Sequence, residues 1–387
     1  MTLITTLYRV NYEVISIVLC PLETAWMGRK TSPLPGPLPI VLACCTITFD
    51  TTCPRSSVDR ALACGVRGRV FESRRGCLIR SGNPRSFIKK KSNYKPESVL
   101  TKEGKMNKVA IVTDSTAYLP PDILEEYQIQ VIPLSLIWDD DSYQDGVDIT
   151  TTQFYNRLEK SPTLPSTSQP PAGEFKDCFS ALLESGKDVL AILISAGISG
   201  TINSALQAQA DLDPSRIEVI DSKTAAMATG LHVIAAARKA AEGGTLQEVA
   251  QVARDAQQRT DVVFVVDTLE FLHKGGRIGG AKRFLGSMLN IKPILEMSAG
   301  KIEAVDQVRT QKRALERMAD LIREKASGEK PLRMAVIHSN VPEMAHNLKE
   351  EIQASFSPEE IYVSELSPVI GTHVGPGTLA IACMHGM

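Results

Sequence analysis

Val189-Leu190-Ala191-Ile192-Leu193-Ile194-Ser195-Ala196-Gly197-Ile198-Ser199-Gly200-Thr201 is the stretch from which the fold can be read. Six apolar residues in a row, with no polar face, describe a strand covered on both sides. That is the habit of parallel sheets in α/β proteins. A polar, glycine-containing turn follows, and Ile198–Leu212 then reads as a helix. Working outward, Ile217–Ile220 is the next strand, ending at Asp221-Ser222, and Ala225–Ala241 and Leu246–Arg259 are helices. Upstream, Lys108–Val112 is a short apolar strand ending at Asp114-Ser115-Thr116. Pro120–Tyr127 is a helix with proline near its start, Gln130–Leu136 a strand, Thr151–Lys160 a helix capped by Thr152, and Gly173–Ser185 a further helix. Strands alternating with helices at this rhythm predict a parallel sheet flanked by helices on both faces.

A second unit begins near Val262. Val263–Val266 is a strand, Leu269–Lys274 and Arg283–Leu289 are helical, and Pro293–Met297, Lys301–Ala304 and Gln307–Thr310 are short strands around the hairpin signal Ala299-Gly300. Thr310–Lys325 is an amphipathic helix, followed by strand Met334–Ile337, helix Val341–Ser355 and strand Glu359–Glu365; the chain closes with the glycine-rich Gly371–Gly377 and an apolar segment. The expected architecture is therefore two α/β lobes, residues 106–261 and 262–387, with a ligand cleft between them.

Composition separates this body from what precedes it. Before Met106 there are 17 Lys and Arg against 7 Asp and Glu; from Met106 onward there are 26 against 37. An acidic body argues against nucleic acid as a partner, because duplex binding needs a basic footprint. Six of the eight cysteines lie upstream, leaving Cys178 and Cys383, which read as thiols of a reducing, cytoplasmic compartment. No apolar run reaches membrane-spanning length, so no stable membrane insertion is expected. Residues 1–105 show no usable periodicity. One reading is a disordered basic extension. The sharper reading comes from back-translation. Ser56–Ala61 can be written AGC TCA GTT GAT AGA GCA, like the D-arm of a transfer RNA gene, and Phe71-Glu72-Ser73 can be written TTC GAG TCC, like its T-loop. Lys102-Glu103-Gly104 can encode a ribosome-binding sequence ahead of Met106. The expectation is a spurious extension made of a translated transfer RNA gene and leader, to be left out of fold reasoning.

Five polar segments sit at strand ends or loops, where open α/β sheets bind ligands. Asp114-Ser115-Thr116 is either a ligand loop or a turn held by Asp114. Pro165–Pro170, with Thr167 at its centre, is a proline-stiffened hydroxyl loop that could present donors to an anion, or else cap the next helix. Ser195–Thr201, with Ser199, offers hydroxyls and free amides at a helix start. It lacks the Gly-Lys-Ser/Thr ending of a nucleotide loop and the three-glycine dinucleotide spacing. Gly371–Gly377 places His373 between glycines, as a loop residue that a carboxylate ligand would hold as imidazolium. Lys274–Gly280 adds Arg277 on a glycine-rich loop, suited to a ligand or to a phosphate. No Ser-His-Asp spacing and no metal-ligand cluster is present, so neither a catalytic residue, a metal nor a cofactor is expected.

In order along the chain, Val112–Thr116, Thr167–Pro170, Ser195–Thr201, Asp221-Ser222, Gly275–Ile278, Val308-Arg309-Thr310 and Thr372–Gly377 resemble the DegV family. The resemblance spans Met106–Met387 and none of Met1–Lys105. It implies a two-lobed lipid-binding protein, not itself an enzyme. A long-chain fatty acid such as hexadecanoate would be buried between the lobes, its carboxylate held by Thr167, Ser199 and His373. It also implies a partner: an ATP-dependent fatty acid kinase subunit that phosphorylates the bound carboxylate to an acyl phosphate for phospholipid metabolism. Arg277 and Arg309 would serve that partner or the transferred phosphate. Ala196 departs from the family pattern, where many members carry a second serine. The competing readings are a self-sufficient phosphotransferase related to dihydroxyacetone kinase, against which the missing nucleotide loop counts, and a lipid-sensing binding module.

Overall fold

The computed structural model describes residues 5–10, 13–18, 108–287 and 291–387, with backbone alone at 5–10, 13–18 and 286–287. The chain divides into Met1–Lys91 and Ser92–Met387. In the first unit Thr5–Val10 (β1) and Glu13–Val18 (β2) pair antiparallel, with Thr6 opposite Ile17. A segment in which no periodicity was legible thus holds a hairpin. Its threonines, valines and isoleucines favour extended backbone, and six residues are too few for alternation to stand out. The rest of the expectation for residues 1–105 lies outside the described residues.

In the second unit a four-stranded sheet has the order β4-β3-β8-β9, built from Gln130–Ile132, Val109–Asp114, Asp188–Leu193 and Ile217–Asp221, and all its pairings are parallel. Alternate residues face opposite layers, as the strand period requires. Val189, Ala191 and Leu193 pack with Phe175 and Phe179 of helix Ala172–Glu184, while Leu190 and Ile192 pack with Leu231 and Ala236 of helix Ala226–Ala241. This is the helix-flanked parallel sheet expected from the sequence.

The other lobe carries a six-stranded sheet of order β12-β11-β10-β15-β13-β14. Its strands are Lys301–Val308, Lys292–Ser298, Thr260–Val265, Leu379–His385, Leu332–His338 and Glu360–Glu365. It is antiparallel except where β13 meets β14. Helices Gln311–Ala326 and Pro342–Phe356 cover one face, meeting Val263, Val265, Met334, Val336 and Ile381. The opposite face turns toward helix Ala226–Ala241, which also packs on β3 and β8 of the first sheet. Twelve of that helix's sixteen residues are buried. Apolar nearly all round and rich in alanine, it serves as a thin layer shared by both sheets.

A three-stranded sheet, β6-β5-β7 (Asp141–Gln144, Ser135–Trp138, Ser166–Ser168), completes the unit beside helix Thr151–Leu158, around Trp138, Phe154 and Tyr155. It corrects several expectations. Gln130–Leu136 is two strands in two sheets, broken at Pro133, which cannot donate to a ladder. The hydroxyl loop is instead strand β7, with Thr167 opposite Leu136. The cap of helix Thr151–Leu158 is Thr150, in a reciprocal capping box with Gln153, not Thr152. The helix after β8 starts at Thr201, because Ile198–Gly200 form a turn closed onto the Ser195 carbonyl. Gly279–Ser287 winds as a 3-10 helix where an α-helix over Arg283–Leu289 was expected; residues 288–290 lie outside the described residues. Lys301–Val308 is one continuous strand rather than two.

Candidate functional site

One cavity collects most of the residues singled out by the sequence. Thr167, Ser199, Arg277 and His373 all line it, joined by Ser168, Gln169 and Thr378; the remaining wall is apolar. The space free of protein atoms, counted together with the solvent at its mouth, is about 900 Å³. Leu134, Ile194, Ile198 and Ala226 come from the first lobe, and Phe264, Met297, Ile302, Ile337 and Ala380 from the six-stranded sheet. The polar groups gather at the C-terminal end of β8, where an open parallel sheet leaves its binding crevice.

The turn after β8 is pinned from across the cleft. Ser195 Oγ donates to the Gly300 carbonyl at 2.7 Å, on the hairpin between β11 and β12. A Cβ on Gly197 would lie 2.2 Å from that same carbonyl oxygen, so only glycine permits the approach. Ser199 Oγ lies 2.8 Å from Thr201 Oγ1 and accepts weakly from the Thr201 amide at 3.3 Å. Ser199 therefore both steadies the helix start and faces the cavity.

His373 is not on a loop. It lies in the helix Pro368–Val374; Gly371 is inside that helix, and Gly375, at φ 74°, ends it. Val369, Ile370, His373 and Val374 line the cavity together, the three- and four-residue spacing of one helix face. His373 Nε2 is 2.8 Å from Thr167 Oγ1. Nδ1 is buried with no hydrogen-bond partner among the described residues, and its ring lies against Gly275, whose Cβ would fall 2.3 Å from it. Burial, and then the nearby Arg277 charge, push the imidazole down to about 4. The cavity's own groups thus favour the neutral ring, whereas the imidazolium expected from the sequence is tied to a bound carboxylate. With no acceptor for an Nδ1 proton, the neutral ring carries its proton on Nε2 and donates to Thr167. The Thr167 hydroxyl proton is then free to point into the cavity.

Arg277 is half-buried at the same place. Its guanidinium donates to the carbonyls of Ile198, at 3.2 Å, and of Gly275, at 2.7 Å; among the described residues no carboxylate pairs with it. A cation held by neutral carbonyls beside an apolar cavity retains attraction for an anion. Arg309 stands apart, exposed just beyond the end of β12 and outside the lining. Asp114 is also outside it. Fully buried, it accepts from the Ile194 amide at 2.7 Å and from the amide and hydroxyl of Thr116, so its turn role accounts for it. Asp221 shapes the site's rim by accepting from the Ala196 and Lys223 amides. Among the described residues no group of three metal-binding side chains occurs, and no helix is long and apolar enough to cross a membrane.

The family model for the DegV family, described as uncharacterised proteins, matches residues 108–385. This chain belongs to the DegV family. A DegV domain-containing protein of Listeria innocua is 38% identical over 275 residues, which is 71% of this chain and 97% of that protein. Protein DegV of Bacillus subtilis is 37% identical over 274 residues, 70% of this chain and 98% of that protein. Among solved structures, a fatty-acid-binding DegV family protein from Thermus thermophilus matches with a TM-score of 0.69 and 35% identity, covering 72% of this chain and 99% of that one. DegV of Bacillus subtilis, described as a fatty acid binding protein, matches at 0.67 and 36%, with the same coverage. The DegV resemblance read from seven short segments therefore extends over residues 108–385. The sequence left Arg277 open between a ligand and a phosphate, and the resemblance implied a partner or phosphate role; the structure puts it in the cavity lining. Sequence reasoning missed the apolar wall, whose residues come singly from strands far apart in the chain.

Proposed function

We propose that this DegV protein binds a long-chain fatty acid, with the acyl chain in the apolar cavity and the carboxylate at its polar end. The observation that carries this is Arg277, a half-buried cation with no acidic partner among the described residues, set beside an otherwise apolar cavity with Thr167, Ser199 and His373. A buried carboxylate needs several convergent donors. Here they are the Arg277 guanidinium, the Ser199 hydroxyl, and the Thr167 hydroxyl backed by neutral His373, in a chain that strengthens each bond. Apolar burial contributes about 0.8 kcal/mol per methylene. The chain offers no nucleotide loop, and in this reading it is a non-catalytic carrier. A separate ATP-dependent kinase subunit phosphorylates the bound carboxylate to an acyl phosphate, with Arg309 on the surface that meets that subunit. Two lobes, 106–261 and 262–387, supply the two sides of the cleft.

The test is mass spectrometry of lipid carried through native purification, followed by binding of hexadecanoate and its methyl ester. The expected result is a co-purified fatty acid and a strong preference for the acid. Equal binding of acid and ester would remove the carboxylate site from this cavity. ATP turnover by the isolated chain would overturn the carrier role.

A further inference from the structure

The helix that presents His373 has a Ser367 cap and Pro368 in its first turn, but one of its free amides is satisfied from a distant part of the chain. Pro368 has no N–H. Ser367 Oγ accepts from the Ile370 amide at 3.4 Å. The Val369 amide is taken by Asp145, 224 residues earlier, whose Oδ1 accepts at 3.3 Å. The Ser367 hydroxyl lies near the same carboxylate, and Asp145 Oδ2 accepts from Ser115 Oγ at 2.7 Å. Ser115 Oγ in turn accepts from the Leu134 amide, and the Asp145 amide donates to the Leu134 carbonyl. Asp145 is 2% exposed and lies outside the cavity lining, yet Leu134 and Val369, which it ties together, both form the wall.

We infer that Asp145 is a positioning residue for the carboxylate site: it fixes the first turn of the Pro368–Val374 helix against the first lobe, so that His373 reaches Thr167 one turn later. The physical reason is that the seam here is polar and buried. A free Val369 amide would be costly, and the easiest escape is for the short helix to shift or unwind. Moving it moves His373 but leaves most of the apolar wall, which belongs to the sheets, in place. The other titratable groups facing Asp145 are Asp114, Tyr118 and Tyr155, with Glu365 beyond them. Burial holds the Asp145 carboxyl up at about 6. An uncharged amide of the same shape therefore suits the pocket: it can accept from Val369 with its oxygen and donate to Ser115 with its nitrogen.

This inference rests on the fatty acid reading, and two measurements keep the two apart. Hexadecanoate and methyl hexadecanoate are titrated at pH 7.5 into wild type, Asp145→Ala and Asp145→Asn, and amide exchange is followed across Val369–Val374. Asp145→Ala should lose about tenfold of the acid-over-ester preference, bind the ester within about twofold of wild type, and exchange faster across that helix. Asp145→Asn should restore most of the preference. If Asp145→Ala does not fold, Ser115→Ala, which frees one carboxylate oxygen and the Leu134 amide but leaves the Val369 bond, should move both readouts the same way by less. A parallel fall of acid and ester, an unchanged preference, failure of Asp145→Asn to recover, or unchanged exchange would overturn the positioning role. A wild type indifferent to acid and ester would reject the fatty acid reading instead, and the exchange measurement would still decide the role of Asp145.

Discussion

If His373 acts as a neutral donor, binding a fatty acid at neutral pH should take up almost no proton. The imidazole sits at about 4 in the empty cavity because of burial and the Arg277 charge. Protonating it at pH 7 would cost about 4 kcal/mol, the interval between the two at about 1.36 kcal/mol per unit. An incoming carboxylate could offset that, but Arg277 is already charged and competes for the same oxygens. The cheaper arrangement keeps the ring neutral and passes one hydrogen bond through Thr167, 2.8 Å away. A neutral hydrogen bond contributes about 0.5–1.5 kcal/mol and one to a charged group about 1.5–3 kcal/mol. His373→Ala should therefore weaken hexadecanoate binding by about tenfold, not several hundredfold, and His373→Gln, whose amide can donate to Thr167, by about threefold or less. The assay is titration calorimetry at pH 7.5 in two buffers of different ionisation enthalpy, which counts protons. Uptake of about one proton per ligand in wild type, abolished in His373→Gln, would refute the neutral-donor reasoning and restore the imidazolium.

Gly275→Ala would set a methyl 2.3 Å from His373 Nδ1, so it should displace the ring and lower acid binding more than ester binding, with the thermal midpoint little changed; equal losses would count against it. Arg277→Gln should lose on the order of tenfold in acid affinity and raise the His373 pKa from about 4, read by NMR titration; an unmoved imidazole would show that Arg277 is not its neighbour in solution. Arg309→Ala should leave hexadecanoate binding intact and slow phosphorylation by the proposed kinase subunit; loss of binding would move Arg309 into the site. Asp145 is held at about 6, above its ordinary 3.8, so the fold favours its protonated form. Its contribution to stability is full below pH 3.8 and is lost as pH rises through 6. Asp145→Asn should thus gain up to about 3 kcal/mol on wild type between pH 3.5 and pH 7.5, measured by urea unfolding at each pH, and no relative gain would contradict the shift.

The strand-helix alternation was legible because each element carries its own period. Val189–Ile194 is apolar throughout because both faces of β8 are covered, and the turn at Ser195–Thr201 follows from its glycines and hydroxyls. Where the reading failed, a local signal pointed to loop chemistry and tertiary contact overrode it. Thr167 was read as a stiff loop because prolines fence it, yet the segment is short enough to pair with β5. His373 was read as a loop residue because of its glycines. Gly371 is instead a point of close approach, where a Cβ would fall 2.6 Å from Tyr155 Oη.

By itself, the sequence determined the α/β class, the helix-flanked parallel sheet, the DegV family, and the hydroxyls and histidine of the site. These depend on residue types within a few positions of one another. Only the tertiary structure decided the mixed sheet of the second lobe, with the last strand, Leu379–His385, in its interior, and the apolar wall drawn from Phe264, Met297, Ile337 and Ala380. It also decided that Arg277 joins the cavity and that Asp145 caps a helix 224 residues away. The reason is physical: charge state and donor geometry follow from burial and from neighbours brought together by sheet pairing, and neither is encoded in local spacing.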